Sequence, residues 1–119
     1  MKQLFLTIML SLCSIMYIAA QSDYYMKQAR YYQREAEYYT KQAQGYDKEV
    51  DYYNRQAQGY LREAEYYTKR EKYDEAKNYQ RRAKDATEKA ESYKRKADDA
   101  REKARTNMKK AEDALEKAK

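Results

Sequence analysis

The chain contains no proline, no histidine and no tryptophan, and it has only two glycines and one cysteine among its 119 residues. Each absence excludes something. Without proline and with so little glycine, almost nothing punctuates a helix. Without histidine, and with Cys13 alone as a thiol, there is no ligand set for zinc and no activated nucleophile pair. Two isolated glycines cannot form a loop that cradles phosphate. Beyond residue 20 there is no Ile or Phe, and the large aliphatics reduce to Val50, Leu61 and Leu115, with Met26 and Met108. A globular domain of this length needs branched aliphatics and aromatics in its core, so a globular core is excluded. No catalytic, cofactor-binding or metal-binding residue is assigned, and the chain reads as non-enzymatic.

What the first 20 residues do hold is apolar surface. Met1-Lys2-Gln3 gives a short basic start, Leu4 to Ile18 is a near-continuous apolar run, and Ala19-Ala20-Gln21 follows. Charged start, apolar run and small residues before a cut are the layout of an export signal. Residues 1–20 are therefore expected to be a signal peptide cleaved after Ala20, similar to bacterial signals ending in Ala-Gln. The run falls short of the roughly 20 residues a spanning helix needs, so no membrane span is expected after cleavage. Cys13 follows Leu12, where a lipobox has a small residue, and reads as an ordinary member of the apolar run. Export then leaves no cysteine for a disulfide. The expected location is secreted, extracellular or periplasmic.

Sixteen residues are tyrosine, and their spacing organises residues 21–72. From Tyr24 the chain divides into sevens: YYMKQAR, YYQREAE, YYTKQAQ, GYDKEVD, YYNRQAQ, GYLREAE, YYTKREK. The second place is always Tyr (Tyr25, Tyr32, Tyr39, Tyr46, Tyr53, Tyr60, Tyr67). The sixth is Ala29, Ala36, Ala43, Val50, Ala57 and Ala64, then Glu71. The fifth alternates Gln and Glu through six units, so the repeat is 14 residues long, in copies 24–37, 38–51 and 52–65. Apolar places alternately four and three apart form the seam of a coiled coil. Gly45 and Gly59 replace the first Tyr of their units without disturbing the phase, and they read as close-contact points within a helix.

Residues 73–119 carry a second seam. Ala76, Ala83, Ala90, Ala97, Ala104, Ala111 and Ala118 recur every seven residues, and Tyr79, Ala86, Tyr93, Ala100, Asn107 and Ala114 lie between them. Small seams let helix axes approach closely but bury little area per residue. The two seams are out of phase, because the first would continue at Glu71 and Asp74. Two architectures follow: a long continuous helix, or a helical hairpin that folds back near residues 69–72. Thr68-Lys69-Arg70-Glu71-Lys72 has no Gly, Pro or Asn to stop a helix, which favours continuity. The matched lengths of blocks 24–70 and 73–119, each 47 residues, favour the hairpin. The fold class is all-α either way, with the heptad seams forming a coiled-coil bundle or a filament.

The tyrosine stripe offers large contact area with a polar tip, and packing is its first reading. Stacking on carbohydrate, modification of the outer tyrosines and dityrosine cross-linking are the functional alternatives. The fifth-place Gln or Glu lies between the two tyrosine columns, within reach of their hydroxyls. A basic residue holds every fourth place (Lys27, Arg34, Lys41, Lys48, Arg55, Arg62, Lys69). Acidic-first pairs (Glu37 with Lys41, Asp51 with Arg55, Glu65 with Lys69) and cation–π contacts (Lys27 with Tyr31, Arg34 with Tyr38) account for many of them. Residues 21–65 hold 7 basic and 8 acidic side chains, net −1, whereas 66–119 hold 18 and 12, net +6. That distribution implies no specific nucleic-acid site, and it is compatible with an anionic cell-surface polymer or glycan.

Three local resemblances accompany this pattern. Lys72-Tyr73-Asp74-Glu75-Ala76-Lys77-Asn78-Tyr79, and also Gly59-Tyr60 through Tyr67, resemble the start of the second helix of a tetratricopeptide repeat, whose unit is ~34 residues. Ala86 to Lys119, with its Glu-Lys-Ala triplets, is similar to late-embryogenesis-abundant desiccation proteins, whose period is ~11 residues. The alanine seam resembles that of the murein lipoprotein, whose lipidated cysteine has no counterpart here.

The first functional expectation is an exported structural protein that self-associates as a homo-oligomer through both seams. The reason is energetic, since a lone amphipathic helix gains its stability from partners. The second is a soluble helical binding module whose tyrosine face engages a glycan, a peptide or a membrane surface. A third is a stress-protective helix that orders only when dried or bound.

Overall fold

A computed structural model describes residues 2–119, the side chain of Phe5 excepted. Among the described residues the chain is all α. Helix α1 spans Lys2–Lys69 and helix α2 spans Tyr73–Ala118. Strong helix formers without an internal proline account for their length. Gly45 and Gly59 lie inside α1 with ordinary helical φ. A Cβ built at either would meet nothing within 4 Å, so neither glycine is the close-contact point its position suggested.

The chain folds back, and the continuous helix favoured by the missing stop signal is not what forms. The Lys72 N–H donates to the Tyr67 carbonyl at 2.9 Å and the Glu71 N–H to the Thr68 carbonyl at 3.0 Å. Together these are the two bonds of a Schellman cap. That cap needs a left-handed residue, and Glu71 supplies it with φ 59°, a conformation usually left to glycine. The next helix starts at once, because the Lys72 carbonyl accepts the Ala76 N–H at 3.0 Å. Asp74 and Glu75 in the first turn of α2, and Lys69 in the last turn of α1, complement the helix dipoles.

Two compact units make up the fold. The first to consider is Tyr39–Lys103, a helical hairpin that contains the turn. Its core is alanine on alanine: Ala43, Ala57 and Ala64 of α1 are buried, as are Ala76, Ala83, Ala86, Ala90, Ala97 and Ala100 of α2. Val50 is half-buried. On one edge Arg101 bridges Asp47 and lies 3.2 Å from Asp98. The hydrogen bond to Asp47 raises the guanidinium further above its already high range, and the charges of Asp47 and Asp98 add to this.

The other unit joins Met1–Tyr38 with Ala104–Lys119. Ala29 and Ala36 are buried there with Ala104, Ala111 and Ala114, while Ala118 is half-buried. The Ser22 hydroxyl donates to the Ala118 carbonyl at 2.9 Å. On the N-terminal side of that bond, Leu4, Leu6, Ile8, Leu10, Leu12, Ile15 and Ile18 are all exposed. The most apolar window of α1 has a mean hydropathy of 1.9 and none of it is buried. By length and composition this segment is able to cross a membrane, so shortness does not by itself separate an export signal from a span.

Candidate functional site: a tyrosine face with recurring clefts

The seam residues read from the sequence meet one another inside a single chain. Their alanines are buried except the half-buried Ala118, while the inner tyrosines Tyr25, Tyr32, Tyr39, Tyr46, Tyr53, Tyr60 and Tyr67 are half-buried along the edge of the seam. The outer column is open to solvent, with Tyr24, Tyr31, Tyr38, Tyr52 and Tyr66 between 46% and 57% exposed. The outer rings of Tyr24, Tyr31, Tyr52 and Tyr66 lean edge-on against the inner rings beside them, as in Tyr24–Tyr25 at 5.3 Å and Tyr66–Tyr67 at 5.1 Å between centroids. Two fifth-place glutamines hold outer hydroxyls, as their position suggested. Gln28 Nε2 donates to the Tyr24 hydroxyl and Gln56 Nε2 to that of Tyr52, each at 2.8 Å.

Several basic residues of α1 pair with acids one turn before them. The acidic-first pairs Asp51–Arg55 and Glu65–Lys69 form at 3.0 and 3.3 Å. Lys27 turns to Asp23 at 3.2 Å rather than to Tyr31, and Arg34 Nε donates to the Arg30 carbonyl. Just past the end of α1, in the turn, Arg70 covers an outer ring and lies 3.6 Å from the centre of Tyr66.

Helix α2 supplies what the sequence reading missed. Arg82, Lys89, Lys96, Lys103, Lys110 and Lys117 recur every seven residues. Where the residue three places before is Tyr, the cation rests on its own helix: Arg82 over Tyr79 at 5.3 Å and Lys96 over Tyr93 at 4.9 Å. Where that residue is Ala or Asn, the cation reaches across to α1. Lys89 covers Tyr53 and Lys103 covers Tyr39 in the first unit, at 5.3 and 5.5 Å. In the second, Lys110 covers Tyr32 and Lys117 covers Tyr25, at 5.7 and 5.8 Å. All lie within the ~6 Å at which a ring attracts a cation.

The same column of α2 alternates filled and empty space. Tyr93 stacks on Tyr53 and tilts against Tyr46, while Tyr79 stacks on Tyr67 and tilts against Tyr60. At Tyr67, the neighbouring phenol of Tyr79 raises the pKa above the ordinary value, with burial, Glu63, Tyr66 and Glu75 adding to it. Where Ala stands in the column instead, a cleft opens. The cleft at Ala86 has a volume of about 150 Å³ and is lined by Tyr53, Gln56, Tyr60, Arg82, Asp85 and Lys89. At Ala100 the volume is about 140 Å³ and the lining is Gln42, Tyr46, Lys96, Asp99 and Lys103. At Ala114 it is about 200 Å³, lined by Gln28, Tyr32, Lys110, Asp113 and Lys117. Each is therefore built from Gln-x-x-x-Tyr on α1 and a basic-Ala-x-Asp-Ala-x-Glu-Lys octet on α2. The octets RAKDATEK, KADDAREK and KAEDALEK start at residues 82, 96 and 110. That 14-residue spacing was the available signal, and it lay hidden under the seven-residue alanine rhythm.

Among the described residues no cluster of acidic, cysteine or histidine side chains could hold a metal ion. Each cleft brings together tyrosine, a glutamine amide, a carboxylate and two cations. Comparison with protein families, with curated proteins and with solved structures finds no match, so the three local resemblances lead to no family.

Proposed function

We propose that this chain is an exported, non-enzymatic binding module whose tyrosine-lined face engages a component of the cell surface. The observation that carries the proposal is the division of labour between its stripes. The alanine seams that were expected to recruit other copies are covered by each other, whereas the tyrosine, glutamine and lysine side chains around them stay accessible. With both seams covered within one chain, neither needs another copy to be buried, which supports the binding reading.

Export fits the same picture. Cleavage after Ala20 removes the exposed apolar segment and leaves a chain whose first residues, Gln21 and Ser22, stand where α1 begins to pair with α2. The test has two parts. Mass spectrometry of protein recovered outside the cell should show a start at Gln21. The exported protein should also be retained on cells and remain monomeric in sedimentation at concentrations up to about 100 Kd of that retention, where a binding site is essentially filled. Full-length protein confined to the membrane fraction would overturn it.

A second reading keeps self-association, as a closed bundle of hairpins rather than a filament. It rests on the exposed outer column of Tyr24, Tyr31, Tyr38, Tyr52 and Tyr66. Mass and helicity that rise together with concentration would favour this reading.

A further inference from the structure

The three clefts name a ligand class, an inference that rests on the tyrosine face being a binding surface. We propose that each cleft takes one residue of an acidic polysaccharide, so that the protein binds a sugar polymer bearing carboxylate or sulfate groups.

Size comes first. Volumes of about 140 to 200 Å³ are roughly five to seven times the ~30 Å³ share of one liquid water. That admits a single sugar-sized ring in each cleft and falls below the ~300–1,000 Å³ of a drug-sized pocket. Chemistry comes second. A half-buried tyrosine (Tyr60, Tyr46, Tyr32) lines each cleft, and the part of its ring that neighbouring side chains leave open gives apolar contact for the C–H groups of a sugar. The Gln amide can donate to or accept from sugar hydroxyls, and the Asp carboxylate beside it accepts from them. Two cations flank each carboxylate, Arg82 and Lys89 around Asp85 for example, and leave an excess of one positive charge. A neutral sugar has no use for that excess. A nucleic acid has no use for a carboxylate placed among its phosphate contacts, since single-strand grooves combine aromatics with unopposed positive charge.

The cations are also preorganised. Lys89, Lys103, Lys110 and Lys117 are steadied over rings of the opposite helix, so less side-chain freedom is lost when an anion arrives. Repetition then adds avidity. In the hairpin unit the clefts at Ala86 and Ala100 are 14 residues apart, about 21 Å at 1.5 Å per residue, so one polymer chain can occupy both.

The test uses the purified full chain in mild detergent against immobilised alginate and heparin, with dextran as a neutral polymer and single-stranded DNA as another class of polyanion. The wild type should bind both acidic polysaccharides, with dextran and DNA at least tenfold weaker. The decisive variant is Ala86→Tyr with Ala100→Tyr and Ala114→Tyr, which fills the clefts in the way Tyr79 and Tyr93 already fill their places. It changes no charge, so diffuse attraction predicts unchanged binding, while occupied clefts predict a loss of at least tenfold with helicity retained. Should that variant misfold, Asp85→Ala with Asp99→Ala and Asp113→Ala decides instead. Diffuse attraction predicts tighter binding after three negative charges are lost, and cleft binding predicts weaker. Unchanged or tighter binding by these variants overturns the proposal, as does DNA binding equal to that of heparin. Retention on cells without binding to either acidic polysaccharide overturns the ligand class alone and leaves the surface-binding reading standing.

Discussion

The rings of Tyr53 and Tyr93 stack with their centroids 5.7 Å apart and their planes within 11° of parallel. Tyr67 and Tyr79 repeat the arrangement at 5.5 Å and 9°. In each case a tyrosine of α2 also tilts against a second tyrosine of α1, so it sits between two rings. Alanines alone bury little area, and these ring pairs add aromatic contact between the two helices of the hairpin unit.

Tyr93→Ala and Tyr79→Ala are each expected to destabilise the fold by about 2 to 3 kcal/mol. Lost burial of a half-buried ring contributes roughly half of that, and the lost ring pairs contribute the rest. Urea unfolding followed by circular dichroism measures it. Tyr73→Ala, at a side chain 63% exposed, is the control and should change stability by less than about 0.5 kcal/mol.

Glu71→Gly should stabilise the protein by up to about 1 kcal/mol, because glycine adopts the left-handed conformation of that site without the steric cost borne by Glu. Glu71→Val should act in the opposite direction, since a β-branched residue tolerates positive φ poorly. Thermal midpoints of the two variants on either side of the wild type are the expected result. Identical midpoints would show that the cap at residues 67–72 does not determine the turn.

Gly45→Ala and Gly59→Ala should each stabilise α1 by about 0.5 to 1 kcal/mol, the ordinary gain for an open helix-interior glycine. Their effects should add, because the two sites are 14 residues apart and share no neighbour. Destabilisation by either change would reveal a close approach at the glycine.

Alkaline pH should loosen the hairpin. Because Tyr67 has a raised pKa when folded, the folded state holds its proton more tightly than the unfolded state. Stability from this group is fully present below the ordinary phenol value near 10 and is lost as pH rises beyond it. Denaturation curves between pH 9 and 11 should show a steeper decline in the wild type than in Tyr67→Phe, which cannot ionise.

Much of the fold was legible because helices write a period of seven when they pack in coiled coils. The tyrosine and alanine columns, the phase break, and the glutamine bridges to the outer tyrosines all follow from spacing along one helix. The turn was not legible. Glu71 is an unremarkable helix former, and local rules look for Gly or Asn at a left-handed cap. Local rules also placed Lys27 over Tyr31, whereas the shorter route to Asp23 prevails. The clefts escaped notice because each needs one column from α1 and another from α2, and sequence spacing relates positions only within a helix.

The sequence alone determines that this chain is helical, that it carries two small-residue seams, and that it has no core to form a globular domain. Period, composition and the absence of proline decide those matters residue by residue. The tertiary structure decides that the seams cover each other, with Lys89 over Tyr53 and Tyr79 stacked on Tyr67. The reason is that the cost of one left-handed glutamate, about 1 to 2 kcal/mol, is local, while the burial that outweighs it is spread along both helices and exists only once they are antiparallel.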